Sequence, residues 1–270
     1  MRHPLHTPIG RFGVETMYDD VDGCVATMPV AHLVNPITGA PSVGPLAVLV
    51  DHVAGLVNHR RRTADIWAVS SELALETSPE AVDVIAAHPD VPVLGRARPV
   101  GSRTTTALGE CELTVADVVV GTGTVRSFFV AAPAAGSDDF PAEPPDSVSP
   151  PVGLAELMNA GTADDDDGGT VTLAQLPDPV LNNTMGVVHG GIASTGLEVV
   201  ASAAVNAGRS DPLVTASLRV NFIRPFLAGA ESRYVGTPLR VGRSSGIADA
   251  QAIGADGKVA ITARLTAYRY

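Results

Sequence analysis

The chain has 270 residues, of which 45% are hydrophobic and 17% are charged, a balance that supports a packed core and argues against global disorder. Its formal net charge of −11 argues against a nucleic-acid-binding protein, because phosphate backbones attract basic surfaces. The two cysteines have neither metal-ligand nor redox spacing, so we expect no metal site and no redox cofactor.

The beginning of the chain carries no targeting signal that we can identify. Residues 1–11 lack the apolar core of a signal peptide. No apolar run approaches the roughly 18 residues that a transmembrane helix needs. Together with the two cysteines, whose number and spacing suit a reducing compartment, these features predict a soluble, cytoplasmic protein with no membrane partner.

The predicted elements follow the same order in the two halves of the chain. A short strand comes first, over residues 24–30 and again over 170–176. A loop and one helix follow, over residues 45 to about 59 and 191 to about 206, and then three or four strands rich in Val, Thr and Ala. Because both helices are apolar nearly all round, each is predicted to be buried. One buried helix against an antiparallel sheet is an α+β design.

The two halves also share landmarks at nearly constant separation. Four pairs recur in the same order: Gly44 and Gly191, Asp51 and Glu198, Pro79 and Pro225, and Gly101 and Gly242. The separation is 147 residues for the first two pairs and 141 for the last, which predicts an extra loop in the first half around residues 84–91. We therefore predict two tandem repeats, 1–131 and 152–270, joined by an exposed linker over 132–151.

Two acidic features of the second half call for different interpretations. The four aspartates at 164–167 lack the spacing of a calcium loop and are predicted to form a solvated loop. Glu198 instead lies inside an apolar helix, and buried unpaired acids are rarely kept for stability. The glycine pair Gly190-Gly191 at the start of that helix leaves backbone N–H groups that can polarise a carbonyl. A candidate electrophile and a candidate base therefore occur together.

A family resemblance rests on these residues. Asn183, His189-Gly190-Gly191 and an acid nine residues after the histidine resemble the hotdog-fold acyl-CoA thioesterases of the phenylacetate-pathway (PaaI) type. Residues 221–225 are similar to the strand that follows the helix in that family. The resemblance implies a double hotdog, in which two tandem repeats each wrap an antiparallel sheet around one central helix. One chain would then form what the family forms as a homodimer.

The resemblance also implies where the sites lie. Gly191 and Glu198 are seven residues apart, roughly 10 Å along a helix, which is too far for both to reach one carbon. In the family, the loop of one subunit meets the acid of the other. The residues of the first implied site are Asn183, His189, Gly190, Gly191, Asp51, and Ser70 or Ser71. Those of the second are Glu198, Thr215, Asn35, Ser42 and Val43, without the histidine and the first glycine.

The implied chemistry is hydrolysis of an acyl-CoA thioester, with CoA as part of the substrate and no other cofactor. The Gly190 N–H would stabilise the oxyanion, Asp51 would activate water or attack directly, and Ser70 or Ser71 would orient the water. Asn183 and His189 would fix the loop and the thioester. Acyl-chain specificity, the number of working sites, the choice between base and nucleophile, and association of two chains as a homodimer stay open.

Two other functions are compatible with the same residues. The first is a hotdog hydratase or dehydratase, because residues 32–36 are distantly similar to the His-Phe-Pro region of acyl-carrier-protein dehydratases. The second is a non-catalytic acyl-CoA binding protein or sensor, which the altered loop of the first half favours. Asp51→Asn and Glu198→Gln separate these functions, since an enzyme loses turnover while a binding protein is barely altered.

Overall fold

The computed structural model describes residues 1–30, 33–132, 153–165 and 168–270. Each half contains the short strand, the long helix and the later strands that the sequence predicts, together with shorter elements that it does not. The helices are α1 (Pro8–Arg11), α2 (Leu46–Arg60), α3 (Ala81–Ala87), α4 (Leu154–Leu157) and α5 (Gly190–Asn206), with a short 3-10 helix at Pro179–Leu181. The strands are β1 (Glu15–Asp19), β2 (Cys24–Met28), β3 (Ile66–Thr77), β4 (Val93–Val100), β5 (Thr106–Val115), β6 (Val118–Ala131), β7 (Ala160–Asp165), β8 (Val171–Gln175), β9 (Val214–Phe222), β10 (Arg233–Val241), β11 (Ser245–Ile253) and β12 (Val259–Tyr268).

All these strands belong to one antiparallel sheet. Its order is β1-β2-β4-β5-β6-β3-β9-β12-β11-β10-β8-β7. The strands of the second half follow in the reverse order of their equivalents in the first half. The two repeats are therefore related by a pseudo-two-fold axis between β3 and β9. The two central strands pair from Glu72 with Asn221 to Glu76 with Ser217. This arrangement is the α+β double hotdog that the sequence predicts.

The two long helices are the centre of the core. Helix α2 packs on strands β2 to β6, and α5 packs on β8 to β12. Both helices are buried along most of their length, which explains why their sequences are apolar on nearly every face. The strands beneath them alternate buried and partly exposed residues, as in β2 and β8, because successive side chains of a strand point to opposite faces.

Helices α2 and α5 cross antiparallel at their N-terminal ends, and glycines make the close approach feasible. A Cβ on Gly191 would lie 2.5 Å from Cα of Val48, so the two backbones nearly touch there. Near the other end of the contact, the Thr195 hydroxyl donates to the Gly44 carbonyl oxygen at 3.0 Å. The start of each helix therefore lies beside the second turn of the other.

Two sequence predictions require correction. The insertion around 84–91 is not wholly a loop, because α3 begins before it and packs Val82, Val84 and Ile85 against the core. Asp164 and Asp165 lie in edge strand β7, paired with β8, rather than in a loop. As in any edge strand, the backbone is paired with a neighbouring strand on one side only. Asp166, Asp167 and all of the predicted linker except Ala132 lie outside the described residues.

Candidate active site

Asp51 lies on α2 where that helix faces the N-terminus of α5, and its carboxylate is held from both sides. The Gly191 N–H donates to Oδ2 at 2.8 Å, and the Ser70 hydroxyl donates to Oδ1 at 2.8 Å. Nδ1 of His189 lies 3.5 Å from Oδ2. An acidic side chain is well placed here, because the N-terminus of α5 is the positive end of the helix dipole. The structure thus brings an acid of the first repeat to the glycine loop of the second.

His189 is the N-cap of α5, and its ring nitrogen Nδ1 accepts from the Gly191 N–H at 3.2 Å. That N–H is shared with Asp51, whose oxygen is nearer. An acceptor role for Nδ1 leaves the ring proton on Nε2. His189 therefore both caps the helix and presents an N–H donor from the wall of the site.

Gly190 is the first residue of α5, and its N–H donates no hydrogen bond within the described part of the chain. A Cβ added to Gly190 would lie 2.8 Å from Asp51 Oδ2 and 3.3 Å from the Phe222 ring. Glycine therefore allows the Asp51 carboxylate and the Phe222 ring to lie this close to the start of α5. The position combines a free donor, a helix N-terminus and an adjacent carboxylate, which suits a developing oxyanion.

Asn183 organises the loop that leads to His189. Its Oδ1 accepts from the backbone N–H of Met185 at 2.9 Å and of Val187 at 3.4 Å. Gly186 turns the loop with a φ of 75°, which favours glycine. Asn183 also lines the cavity described below, so it braces the loop beside that cavity.

A cavity of about 680 Å³, here called the acyl chamber, opens beside Asp51. Its size is typical of small-molecule sites. The predicted site residues on its wall are Asp51, Ser70, Ser71, Asn183 and His189, whereas Gly190 and Gly191 do not line it. The other lining residues that matter below are Ile9, His52, Gly55, Leu56, His59, Trp67, Phe128 and Val130.

The two serines of β3 have different partners. Ser70 donates to Asp51, whereas the Ser71 hydroxyl donates to the Arg126 carbonyl oxygen at 3.1 Å. The pairing of β3 with β6 shifts register between Ser70 and Glu72, and such a bulge redirects successive side chains. Of the two alternatives that the sequence leaves open, the contacts single out Ser70.

The second predicted site assembles around Glu198 but is closed. Glu198 is 1% exposed and accepts hydroxyl hydrogen bonds from Ser42 and Thr215, both at 2.7 Å. Asn35 donates to the Val199 carbonyl oxygen and to Ser202 Oγ, both at 2.9 Å. The adjoining cavity is only about 40 Å³, which holds water but not a thioester. Burial raises the pKa of Glu198 despite these donors.

One pair of residues explains much of the difference between the two sites. Gly55 lies four residues after Asp51, and Ser202 lies four residues after Glu198. Ser202 contributes a hydroxyl to the hydrogen-bond cluster of Glu198, whereas Gly55 leaves that volume to the acyl chamber. The sequence analysis missed this pair, although the repeat separation of 147 residues contains the signal.

The remaining sequence predictions concern a metal site, the two cysteines, membrane-spanning helices and the dehydratase resemblance. The described residues contain no cluster of three side chains that could hold a metal ion. Cys24 and Cys111 are unpaired and buried, and burial raises the pKa of each thiol to about 12. No helix among the described residues is long and apolar enough to cross a membrane. His32, which contributes to the dehydratase resemblance, lies outside the described residues.

Residues 185–261 match the family model of the thioesterase superfamily. A tesB protein of Mycobacterium avium subsp. paratuberculosis is 12% identical, with 94% of this chain and 95% of that chain covered and a TM-score of 0.61. The acyl-CoA thioesterase II TesB2 of Mycobacterium marinum is also 12% identical, with 98% of each chain covered and a TM-score of 0.59.

A hot dog fold protein of unknown function from Alicyclobacillus acidocaldarius is 15% identical, with 94% of this chain and 95% of that chain covered and a TM-score of 0.55. No curated protein sequence matches significantly. At these identities the structural likeness establishes the fold. The predicted double hotdog is confirmed over nearly the whole chain, and the resemblance to the thioesterase superfamily is confirmed within the second repeat.

Proposed function

We propose that this double-hotdog chain, whose second repeat matches the thioesterase superfamily, is an acyl-CoA thioesterase with its working site in the acyl chamber. One observation carries the proposal: the Asp51 carboxylate of one repeat accepts from the Gly191 N–H at the start of α5 in the other, next to Gly190, whose N–H donates no hydrogen bond among the described residues. A base on the chamber wall and an oxyanion donor in the residue that follows His189, which also lines the chamber, are the two groups that acyl transfer to water requires. The two structural neighbours named as tesB or TesB2 proteins support this function.

In the proposed mechanism, the thioester oxygen accepts from the Gly190 N–H at the start of α5. One such donor contributes roughly 10²–10³-fold to the rate. Asp51, held by Ser70 and Gly191, accepts a proton from water as the water oxygen attacks the carbonyl carbon. Collapse of the tetrahedral intermediate breaks the carbon–sulfur bond, and the CoA thiolate leaves and takes up a proton. Direct attack by Asp51, giving a mixed anhydride that water hydrolyses, uses the same carboxylate.

Release of CoA thiol from short, long and aryl acyl-CoAs tests the function itself. A thioesterase releases thiol and a free acid from at least one of these substrates. A binding protein or sensor gives saturable binding without thiol release. A hydratase changes the acyl group but leaves the thioester intact. Either of the last two results contradicts the proposal.

We propose the cytoplasm as the location, where CoA thioesters and the two unpaired cysteines are both expected.

We further propose that the Glu198 site is structural and does not turn over substrate. Glu198→Gln is expected to leave kcat/KM within about twofold, because the isosteric amide can keep a bond to Ser42 or Thr215 and the acyl chamber is untouched. Steady-state kinetics beside the wild type provide the measurement. A loss of turnover comparable to that of an Asp51 variant would show that both sites work.

The same variant has an expected effect on stability. The pKa of Glu198 is raised in the folded protein, mainly by burial, so its favourable contribution is complete below the unfolded pKa and is lost as pH rises through the folded pKa. Tm of Glu198→Gln relative to wild type is therefore expected to increase as pH rises from about 4.5. A pH-independent difference in Tm between the two proteins would contradict the raised pKa.

Gly55→Ser is expected to narrow the acyl chamber beside Asp51. A Cβ at Gly55 would lie 3.7 Å from Asp51 Oδ1 and 4.0 Å from Ser70 Oγ, which are ordinary contacts, so the fold should survive. The hydroxyl then occupies the volume that Ser202 fills in the other repeat. We expect kcat/KM to fall roughly 10- to 100-fold at unchanged Tm. Gly55→Ala serves as the control with a smaller loss, and an unaltered kcat/KM for Gly55→Ser would argue against this role of the glycine.

A further inference from the structure

A second cavity of about 610 Å³ lies under the N-terminal segment, next to the acyl chamber. The two cavities share four lining residues: Ile9, His52, Leu56 and His59. These side chains therefore stand between the two spaces, and we call them the dividing wall.

The dividing wall has a fixed part and an adaptable part. His52, Leu56 and His59 follow one another at helical spacing on one face of α2. Nε2 of His52 lies 2.8 Å from Thr16 Oγ1, and the His59 ring packs edge-on against Trp67 with centroids 4.7 Å apart. Leu56 is aliphatic and only partly buried, so its position depends on packing alone.

Ile9 reaches the wall from α1, and the segment that carries it is fastened to both repeats. Nε2 of His3 lies 2.8 Å from Thr16 Oγ1 in the first repeat. In the second, Arg11 forms an ion pair with Asp178 at 2.6 Å and donates to the Glu156 carbonyl oxygen at 2.6 Å. The ion-pair side chains are only 17% and 15% exposed, so solvent screens them less than a surface pair. Ile9 is thus held in place over the chamber.

We propose that Ile9 and Leu56 set the acyl-length limit of this protein. The inference rests on the proposed thioesterase function and adds its substrate class: apolar acyl groups of medium length that end at the dividing wall. The space beyond the wall is large enough to receive a longer chain, but the two aliphatic side chains block the path. Trp67 and Phe128 give the chamber aromatic surfaces, which also suit an aryl acyl group.

The limit can be measured with saturated acyl-CoAs from butanoyl to palmitoyl. In the wild type, kcat/KM is expected to fall once the chain exceeds the chamber. In Leu56→Ala and Ile9→Ala, the fall should begin several methylenes later, with roughly a tenfold gain in kcat/KM for each of the first chains beyond the wild-type limit. The readout is kcat/KM for each chain length divided by kcat/KM for butanoyl-CoA with the same variant, so that a general change in turnover does not count as a change in the length limit.

Val130→Ala is the matched control. Val130 lines the acyl chamber but not the second cavity, so its truncation enlarges the chamber without opening the wall. We expect a smaller shift in length preference than with Leu56→Ala. The proposal is overturned if palmitoyl-CoA is as good a substrate of the wild type as the medium chains, or if Leu56→Ala and Ile9→Ala both keep the wild-type limit.

A binding measurement separates failure of this proposal from failure of the proposed function. S-alkyl-CoA thioethers have no scissile carbonyl, and calorimetry can compare their Kd over the same range of chain lengths. If Kd rises beyond a certain alkyl length in the wild type and beyond a longer one in Leu56→Ala, the role of the dividing wall is supported even if no acyl-CoA is hydrolysed. An identical length dependence in wild type and Leu56→Ala overturns the wall even if turnover is observed.

Discussion

Asp51→Asn is expected to lower kcat for acyl-CoA hydrolysis by roughly 10²–10⁴-fold, the range that a general base contributes. Asparagine has the same shape, and its amide oxygen can still accept from the Gly191 N–H while its NH₂ group donates to Ser70. The fold should therefore be retained and the charge alone removed. Thiol-release kinetics and Tm, measured together, separate loss of the base from loss of structure.

Glu198→Gln is the internal control for Asp51→Asn. The two acids occupy equivalent positions of the two repeats, so the same chemical change is made in the open site and in the closed one. Loss of turnover in Asp51→Asn alone would locate catalysis in the acyl chamber. Equal activity of Asp51→Asn and wild type would falsify the assignment of Asp51 as base or nucleophile. Binding of S-alkyl-CoA should persist in Asp51→Asn, because the chamber keeps its shape.

Gly191→Ala is expected to destabilise the protein by about 3 kcal/mol or more, at the upper end of overpacking effects. The new Cβ would lie 2.5 Å from Cα of Val48 and 2.8 Å from the Ala47 carbonyl oxygen. These are backbone atoms of α2 and cannot rotate away, so the helices must separate. For a chain of this size, such a loss corresponds to a fall in Tm of roughly 6–12 °C.

Gly153→Ala controls for the general effect of replacing glycine. A Cβ at Gly153 would meet no atom of the described residues within 4 Å, and its φ of −134° is open to any residue. We expect its Tm to stay within a degree or two of the wild type, roughly the effect of a neutral surface change. A Tm of Gly191→Ala equal to that of Gly153→Ala would contradict the tight crossing of α2 and α5.

The crossing also links stability to function. Gly191 allows the helices to approach, and the same approach brings its N–H to Asp51. A residual folded fraction of Gly191→Ala should therefore show impaired turnover, because separation of the helices lengthens the Gly191–Asp51 hydrogen bond. A positional change of about 1 Å at a reacting group costs on the order of 10²-fold in rate.

The amino-acid sequence by itself determined the framework of this protein. The pairs Gly44 and Gly191, and Asp51 and Glu198, revealed the duplication, because repeats keep their spacing when each forms the same unit. The apolar helices predicted a buried centre, since a helix without a polar face must be covered on all sides. The pairing of Asp51 with the His189 loop followed from the family resemblance and from the length of a helix, which separates Gly191 from Glu198.

Only the tertiary structure decided which groups touch. The contact of Ser70 rather than Ser71 with Asp51 depends on a register shift between β3 and β6, and a bulge of this kind has no reliable local signal. The closure of the Glu198 site and the dividing wall at Leu56 depend on how much volume packed side chains leave between elements. Periodicity along the chain reports which face of an element is buried, but cavity shape is set by contacts between residues far apart in sequence.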